Sequence, residues 1–423
     1  MKKATKSILS MVMALTMLGG AAACGVIVES SDSTTPEEKI LNQISDLEGK
    51  IADLQSALDG YMTVVPEDPN ALADNYGAEA YEMVKYIDAM VKDRDAIAGE
   101  QYKFAQKWIT WNLISAGYQE GVDIENHNFT WSKYYKNTTD LSATITASDY
   151  TTDGKAYVRS GWSYVEATEG QEGTHVKADI IGTNIVATKK GKSDKQIIVG
   201  AHYDGDGTGD NGSGISLGLI TAMNLFKVET EYTIKFVFFD AEEYGLYGST
   251  AYANSLSQEE IDNTLYMINM DSLVCGDYCY LYGGVQDDEN QTVTDTEAYD
   301  NAMAVAEDLG LTFKSNPWTY ANPAPGYDAP DYAAPSTGDW SDHVGFKNVG
   351  IKYLYFEATN WDIPGPYAEY DGYGETYLIG MLMNTKNDYL EYIESYFPGR
   401  ILSHLTQFST LLNALVTQSN ITF

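Results

Sequence analysis

The segment "VGAHYDGDGTGDNGSG", residues 199–214, places one histidine and three aspartates in a glycine-rich stretch directly after an apolar run. A second apolar run leads into Asp240, Glu242 and Glu243, and a third leads into Asp271. Each of these endings alone is typical of ordinary turns and helix starts, where carboxylates are common. Together they supply an imidazole and several carboxylates, which are the residue types that divalent metal ions bind.

The three apolar runs lie in a region where strands alternate with helices. "KQIIVGAH", "YTIKFVFFD" and "TLYMINMDS" predict strands, while "SGISLGLITAMNLF" and "LYGSTAYANSL" predict the helices between them. This alternation predicts an α/β fold with a mostly parallel central sheet flanked by helices. Because the carboxyl ends of parallel strands meet at one edge of a sheet, we expect His202 and the carboxylates to converge there.

Such a converged set of acids would be a hydrolytic metal centre. The carboxylates would repel one another without a cation, and zinc suits a mixture of imidazole and carboxylate better than cobalt or manganese. Two divalent ions that share a carboxylate would also lower the pKa of a water molecule between them. A neighbouring carboxylate would then accept the proton of that water and pass it to a leaving group.

Five motifs in chain order carry a specific resemblance. "GAHYD", "DNGSG", "FFDAEEYGLYGS", "NMDS" and "SDHVGF" resemble the secreted two-zinc aminopeptidases, a family that also includes the glutaminyl cyclases and the transferrin-receptor ectodomains. The likeness covers residues 78–418. It implies the phosphorylase/hydrolase-like architecture of zinc exopeptidases, two zinc ions and peptide substrates.

The resemblance also implies a role for each matching residue. Glu242 would be the general base and later the general acid of the reaction. Asp204, two residues beyond His202, would orient the His202 imidazole. The metal ligands would be His202 and Asp271 for one ion, Glu243 for the other, and Asp210 for both.

One position departs from the family pattern. The family carries a further metal-binding histidine in a late H-T-x-x-D motif, and the matching segment here, "MNTKND", has Asn384 in its place. An amide oxygen binds zinc less well than imidazole. The second zinc is therefore expected to be held by Asn384 weakly, to use another ligand, or to be absent. His343 is the available substitute, and its alternative role is that of a hydrogen-bonded structural histidine.

These residues support a leading function and two alternatives. We expect a metallo-aminopeptidase that removes amino-terminal residues from peptides. The first alternative is a metal-depleted, non-catalytic relative that binds peptides or a partner protein, because Asn384 replaces the expected histidine. The second, which we rank lower, is a glutaminyl cyclase. The long loop of residues 313–340 is expected to wall the substrate cleft, with Trp318 and Tyr320 as candidate contacts.

Composition limits the partners and the covalent chemistry. The 423 residues carry a net charge of −35, which argues against a nucleic-acid partner because such proteins need a basic surface. Two cysteines follow residue 24, Cys275 and Cys279. Their C-x3-C spacing is compatible either with a small disulfide loop or with two free thiols.

The organisation of the chain indicates export. Residues 1–24 predict a bacterial signal peptide that ends in a lipobox, so we expect a secreted or cell-surface lipoprotein whose only membrane contact is a lipid anchor at Cys24. Residues 25–66 read as a tether and a short helix with coiled-coil spacing, either a dimer stalk or a helix that packs on the main domain. Residues 67–423 form the predicted zinc peptidase domain, which begins with two helices.

Overall fold

A computed structural model describes residues 75–96, 99, 101–137, 162–164, 176–324, 328–363 and 374–421. The predicted signal peptide, Cys24 and the helix with coiled-coil spacing lie outside these residues, and their predictions stay untested. Within the described residues, none of the helices combines the length and the apolar character needed to cross a membrane.

The centre of the fold is an eight-stranded sheet with the order β2-β1-β3-β5-β4-β6-β10-β7. The four adjacent strands β5, β4, β6 and β10 are parallel, and the strands on either side of them are antiparallel. The sheet strands are β1 (Ile124–Asn137), β2 (Trp162–Tyr164), β3 (Val176–Lys189), β4 (Gln196–His202), β5 (Thr233–Phe239), β6 (Thr264–Met270), β7 (Tyr278–Gly283) and β10 (Tyr353–Thr359). A separate hairpin consists of β8 (Val285–Asp287) and β9 (Thr292–Thr294).

Helices flank this sheet, as the alternating pattern predicts. They are α1 (Gly77–Met90), α2 (Tyr102–Ala116), α3 (Gly212–Leu225), α4 (Tyr247–Ser255), α5 (Gln258–Asn263), α6 (Glu297–Asp308), α7 (His343–Asn348), α8 (Leu390–Tyr396) and α9 (Arg400–Thr417). The predicted α/β fold is confirmed. The sheet is mixed rather than wholly parallel, because the long strand β3 pairs antiparallel with β1 and β5.

The sequences of the parallel strands explain why these strands lie at the centre of the sheet. Every residue of β4 and of β10 is buried, and β5 has a single partly exposed residue. Continuous apolar runs of this kind are typical of central parallel strands, which helices cover on both faces. Helix α3 is buried almost all round, so it packs in the interior beside the sheet.

The two helices that precede the sheet are integral to the fold. Helix α1 packs against α9 and α3, and Gly77 lies so close to the backbone of Thr406 on α9 that a Cβ atom would not fit there. At the end of α2, the Tyr118 hydroxyl donates a hydrogen bond to the carbonyl of Ala222 on α3 at 3.0 Å. The start and the end of the described chain are thus joined through one core.

The two cysteines of the predicted peptidase domain are free thiols. Cys275 lies in the turn before β7, Cys279 lies on β7, and both are buried. The disulfide alternative is therefore wrong. Burial raises the pKa of both thiols, so they stay protonated and unreactive at neutral pH.

Candidate metal centre

The acids that follow three neighbouring strands gather around one imidazole. Strands β5, β4 and β6 are adjacent in the sheet, and the residues beyond their carboxyl ends share one edge. The Nε2 atom of His202 lies 3.2 Å from Asp210 Oδ1, 3.3 Å from Asp271 Oδ1 and 3.9 Å from Glu242 Oε2. The structure thus brings together residues that are up to 69 positions apart in the chain.

These side chains form two overlapping groups of potential metal ligands. His202, Glu242 and Asp271 offer ligand atoms that all lie within 4.8 Å of one another, and so do His202, Asp210 and Glu243. The donor set of one imidazole and four carboxylates fits zinc. The division into two groups fits two ion positions, of which one can use the single free nitrogen of His202.

The hydrogen bonds of His202 prepare its ring for a metal ion. Its Nδ1 atom lies 3.3 Å from the backbone carbonyl of Asp204, which can only accept a hydrogen bond, so the ring proton belongs on Nδ1. The Nε2 lone pair then faces the acids. The Asp204 carboxylate lies farther off, at 3.7 Å from Nδ1, and accepts a hydrogen bond from the backbone N–H of Glu242 at 3.1 Å. Asp204 thus contacts both His202 and Glu242.

Electrostatics at the site favour a bound cation. Burial, followed by repulsion from Asp271, raises the pKa of Asp210, and burial is also the main cause that raises the pKa of Glu242 far above its usual range. Desolvation and repulsion from Asp210 raise the pKa of Glu243 to about 9. Burial opposes protonation of His202, yet Glu242 and Asp271 outweigh it and raise the pKa of His202. The acids therefore crowd one another, and a divalent ion would relieve that repulsion.

Asp271 differs from the other acids because it has more hydrogen-bond donors. Burial alone would raise its pKa, but His202 and the hydroxyls of Ser341 and Ser272 outweigh burial and lower it. Ser341 donates to Asp271 Oδ2 at 2.6 Å and accepts a hydrogen bond from Asn269 at 2.7 Å. Asp271 is thus the acid that most readily stays ionised.

The backbone is strained where two of these acids leave their strands. Ala241 has a φ of 56° directly before Glu242, and Ser272 has a φ of 53° directly after Asp271. Residues with a Cβ atom rarely adopt this left-handed conformation, which costs about 1–3 kcal/mol. The surrounding packing maintains it, and both acids are thereby turned toward His202.

Two glycines let the loop between β4 and α3 pass close to the acids. Gly205 has a φ of +99°, and a Cβ atom at this position would lie 2.7 Å from Glu243 Oε1. A Cβ atom at Gly209 would lie 2.3 Å from the Cys275 sulfur. After Asp210, the Asn211 side chain caps α3 by accepting a hydrogen bond from the Gly214 N–H at 3.0 Å.

Asn384 is an exposed turn residue with a φ of 56°, a conformation that asparagine tolerates better than most residues. It belongs to neither ligand group found among the described residues. Four residues later, Asp388 is buried and accepts hydrogen bonds from the backbone N–H groups of Gly209 at 2.7 Å and Asp210 at 2.9 Å. The segment that contains Asn384 and Asp388 is therefore hydrogen-bonded to the loop that carries Asp210. A ligand role for Asn384 stays a prediction.

The structure separates other candidates from the ligand groups. His343 is buried with its ring 4.5 Å from that of Tyr353, and burial lowers its pKa to about 3. Asp240 is fastened to β3, where it accepts the Thr183 N–H at 2.7 Å. Tyr320 donates to Asp288 near the β8–β9 hairpin at 2.7 Å.

Trp318, the other candidate substrate contact, packs on a cluster of aromatic residues from β7 and β10. A substrate role for Trp318 and for Tyr320 stays a prediction.

Sequence reasoning missed Asp342. This buried residue precedes His343, and its charge adds to the causes that raise the pKa of Glu242. Burial raises the pKa of Asp342 itself to about 7. The signal was present in the "SDHVGF" motif, in which only the histidine was weighed as a ligand.

A mostly parallel sheet whose strand ends bring an imidazole and four carboxylates together defines a metal-dependent hydrolase. The sequence pattern of peptidase family M28 matches residues 184–377. The alkaline phosphatase isozyme conversion protein of Escherichia coli is 30% identical over 247 residues, which cover 53% of this chain and 67% of that protein. The chain belongs to peptidase family M28.

A further relative agrees with this family, and two solved structures agree with the fold. Aminopeptidase YwaD of Bacillus subtilis is 30% identical over 182 residues, which cover 41% of this chain and 35% of that protein. The structure of BSAP, a zinc aminopeptidase from Bacillus subtilis, has a TM-score of 0.53 at 17% identity and covers 82% of this chain and 96% of BSAP. An aminopeptidase from Aneurinibacillus sp. has a TM-score of 0.52 at 18% identity, with coverages of 82% and 96%. At these identities the solved structures establish the fold alone.

Family membership confirms the resemblance and the predicted enzyme class, a metal-dependent aminopeptidase. The relatives give no support to the non-catalytic alternative.

Proposed function

We propose that this chain removes amino-terminal residues from peptides with two zinc ions held around His202. The single observation that carries the proposal is the packing of Asp210, Asp271 and Glu242 oxygens within 3.2–3.9 Å of one imidazole nitrogen. His202 and Asp271 would hold one ion, Glu243 would hold the other, and Asp210 would bridge the two. When bound, zinc makes water a stronger acid and polarises the carbonyl group of the scissile peptide bond.

Glu242 is the general base and then the general acid. Its carboxylate lies beside His202 and belongs to a ligand group, so it reaches the same space that the attacking water must occupy. It accepts the proton of the water and delivers it to the amine that leaves. Burial raises the pKa of Glu242, which makes its carboxylate a stronger base than that of an exposed glutamate.

The remaining acidity of the site explains the removal of single terminal residues. A peptide that begins with a free α-ammonium group carries a positive charge at its first residue. Carboxylates that are not neutralised by metal attract this group and place the first peptide bond next to Glu242.

The second ion is held more weakly than the first. Asp210 and Glu243 would hold it, but Asn384 replaces the imidazole of the family motif. A neutral amide oxygen gives a weaker bond to zinc than an imidazole nitrogen does. Enzyme at low zinc concentration would therefore carry one ion per chain.

The site of action is outside the cytoplasm. Residues 1–24 carry the pattern of a bacterial signal peptide with a lipobox, and Cys24 would receive the lipid. The acidic composition suits a domain that faces an extracellular medium. Peptides in the cell envelope would be the natural substrates.

Glu242→Gln tests the mechanism, since it keeps the size of the side chain and removes its basicity. Hydrolysis of amino-acid anilides should fall by about 10²–10⁴-fold, the usual contribution of a general base. Zinc content measured by atomic absorption should stay unchanged. Glu297→Gln, at an exposed position on α6, is the control and should keep full activity. Full activity of the Glu242 variant would overturn the proposed role.

A further inference from the structure

Arg94 is a fully buried cation outside the part of the chain that the family pattern matches. It lies between α1 and α2, and only 1% of its surface is exposed. Arginine is rarely buried to this extent unless all its donors are used. Its role was not apparent from the sequence, because residues 91–96 carry no motif.

The guanidinium group of Arg94 binds backbone carbonyls from two separate segments. Its Nε atom donates to Tyr203 O at 3.0 Å, and Nη2 donates to Gly207 O at 2.8 Å. Nη1 donates to Val91 O at 3.0 Å and to Lys92 O at 3.1 Å. The side chain thus joins the end of α1 to the loop that follows β4.

The same loop is also bound by the backbone of Arg94. The Arg94 N–H donates to Gly205 O at 2.9 Å. The carbonyl groups of three alternate loop residues, Tyr203, Gly205 and Gly207, therefore all accept hydrogen bonds from this arginine. This loop connects His202 to Asp210, and the Glu243 carboxylate packs against its Gly205. Arg94 therefore holds the segment that determines the spacing between two metal ligands.

Only an arginine side chain fits this arrangement. The planar fork directs Nε and Nη2 at carbonyls four residues apart, while Nη1 binds two further carbonyls. Lysine has three N–H donors, but they share a single nitrogen atom and cannot span these acceptors. Loss of the fork would leave several buried carbonyls without donors, and each costs about 1–3 kcal/mol when unsatisfied. The loop would then relax away from its present position.

A second contact from α1 supports the same loop. Asp88 accepts a hydrogen bond from the Thr208 hydroxyl at 2.5 Å and another from the Leu390 N–H at 2.9 Å. Leu390 begins the helix that follows Asp388, which itself binds Asp210 N–H. The end of α1 thus contacts both segments that surround the second ion position.

We propose that Arg94 is a positioning residue for the metal centre, because its guanidinium group fixes the loop that holds His202 and Asp210 at the spacing needed for two ions. This inference rests on the proposed function in one respect, that these residues bind zinc. It assigns a role in the metal site to Arg94, which precedes residues 184–377, the part of the chain that the family pattern matches.

The test is the zinc affinity of Arg94→Lys and Arg94→Ala, measured by competition with a chromophoric chelator. Arg94→Lys keeps the charge but not the fork, so its affinity should fall by about 10–100-fold, the usual effect of losing an outer contact to a metal site. Arg94→Ala should show a similar loss. Addition of millimolar guanidinium chloride should restore part of the zinc affinity of Arg94→Ala, because the ion can occupy the vacated space.

Arg400→Ala is the matched control. Arg400 is also largely buried and donates to Cys275 O at 3.1 Å and to the Asp277 carboxylate, and neither acceptor lies in the loop between His202 and Asp210. Its removal should lower thermal stability and leave the zinc affinity unchanged. A zinc affinity in Arg94→Lys equal to that of the unaltered protein would overturn the proposal, as would loss of the fold in both Arg94 variants. Failure of the unaltered protein to bind zinc would instead contradict the proposed function.

Discussion

Asp388 holds Asp210 by its backbone. The Oδ2 atom of Asp388 accepts a hydrogen bond from the Asp210 N–H at 2.9 Å, although the two residues are 178 positions apart. The other carboxylate oxygen accepts the Gly209 N–H at 2.7 Å. Asp388 therefore holds the backbone of Asp210, the proposed bridging ligand, although Asp388 need not bind the metal itself.

Asp388→Asn should weaken zinc binding. An amide at this position has one acceptor oxygen, and its NH₂ group would face a backbone N–H, so one of the two hydrogen bonds is lost. We expect the zinc affinity to fall by about tenfold or more, measured by chelator competition. Asp179→Asn removes an exposed carboxylate on β3 and serves as the control. Equal affinities in the two variants would show that this contact does not support the metal site.

Asn384→His should strengthen the second ion position. An imidazole at this site restores the residue type of the family motif, and nitrogen is the better zinc ligand. We expect zinc stoichiometry at micromolar free zinc to rise from one to two ions per chain, with a parallel rise in anilide hydrolysis. Isothermal titration calorimetry of both proteins measures the stoichiometry. A variant that still binds a single ion would show that residue 384 does not reach the second ion position, whereas two ions in the unaltered protein would show that another residue already serves as the ligand.

Glu375 predicts a pH dependence of stability. It is buried, and burial raises its pKa from 4.5 to about 8 although it accepts the Met383 N–H at 3.0 Å. Between these values the unfolded chain has released the proton and the folded chain keeps it. The contribution of Glu375 to the free energy of unfolding should therefore be largest below pH 4.5. It should fall by about 1.4 kcal/mol per pH unit up to pH 8.

Glu375→Gln isolates that contribution. The amide does not titrate, so the variant should gain stability relative to the unaltered protein as the pH rises from 5 to 8. Urea unfolding at both pH values, with a chelator present to keep the metal site empty, measures the difference. Glu297→Gln removes an exposed carboxylate 4.0 Å from Lys352, so it should change stability only slightly and by the same amount at both pH values. Parallel stability curves for Glu375→Gln and the unaltered protein would contradict a buried, protonated Glu375.

The sequence was informative where local patterns determine structure. Apolar runs predicted the parallel strands, and their polar endings predicted that His202 and the carboxylates would share one edge, since strand direction alone places them there. The antiparallel addition of β1 and β3 was less predictable, because residues that favour a strand do not identify the strand with which it pairs. The role of Arg94 could not be predicted, since its partners are backbone carbonyls and carry no side-chain signature.

The tight packing of α1 and α2 against α3 and α9 limits how far the polypeptide can be shortened. A recombinant fragment cut to the family boundaries at residues 184 and 377 would lose α1, α2 and α9, which together cover the apolar surface of α3. It would also lose Asp388 and Arg94, the two residues that fasten the ligand-bearing loop. Such a fragment would expose apolar surface that is buried in the longer chain, and it would tend to aggregate. Recombinant fragments should therefore begin no later than residue 75.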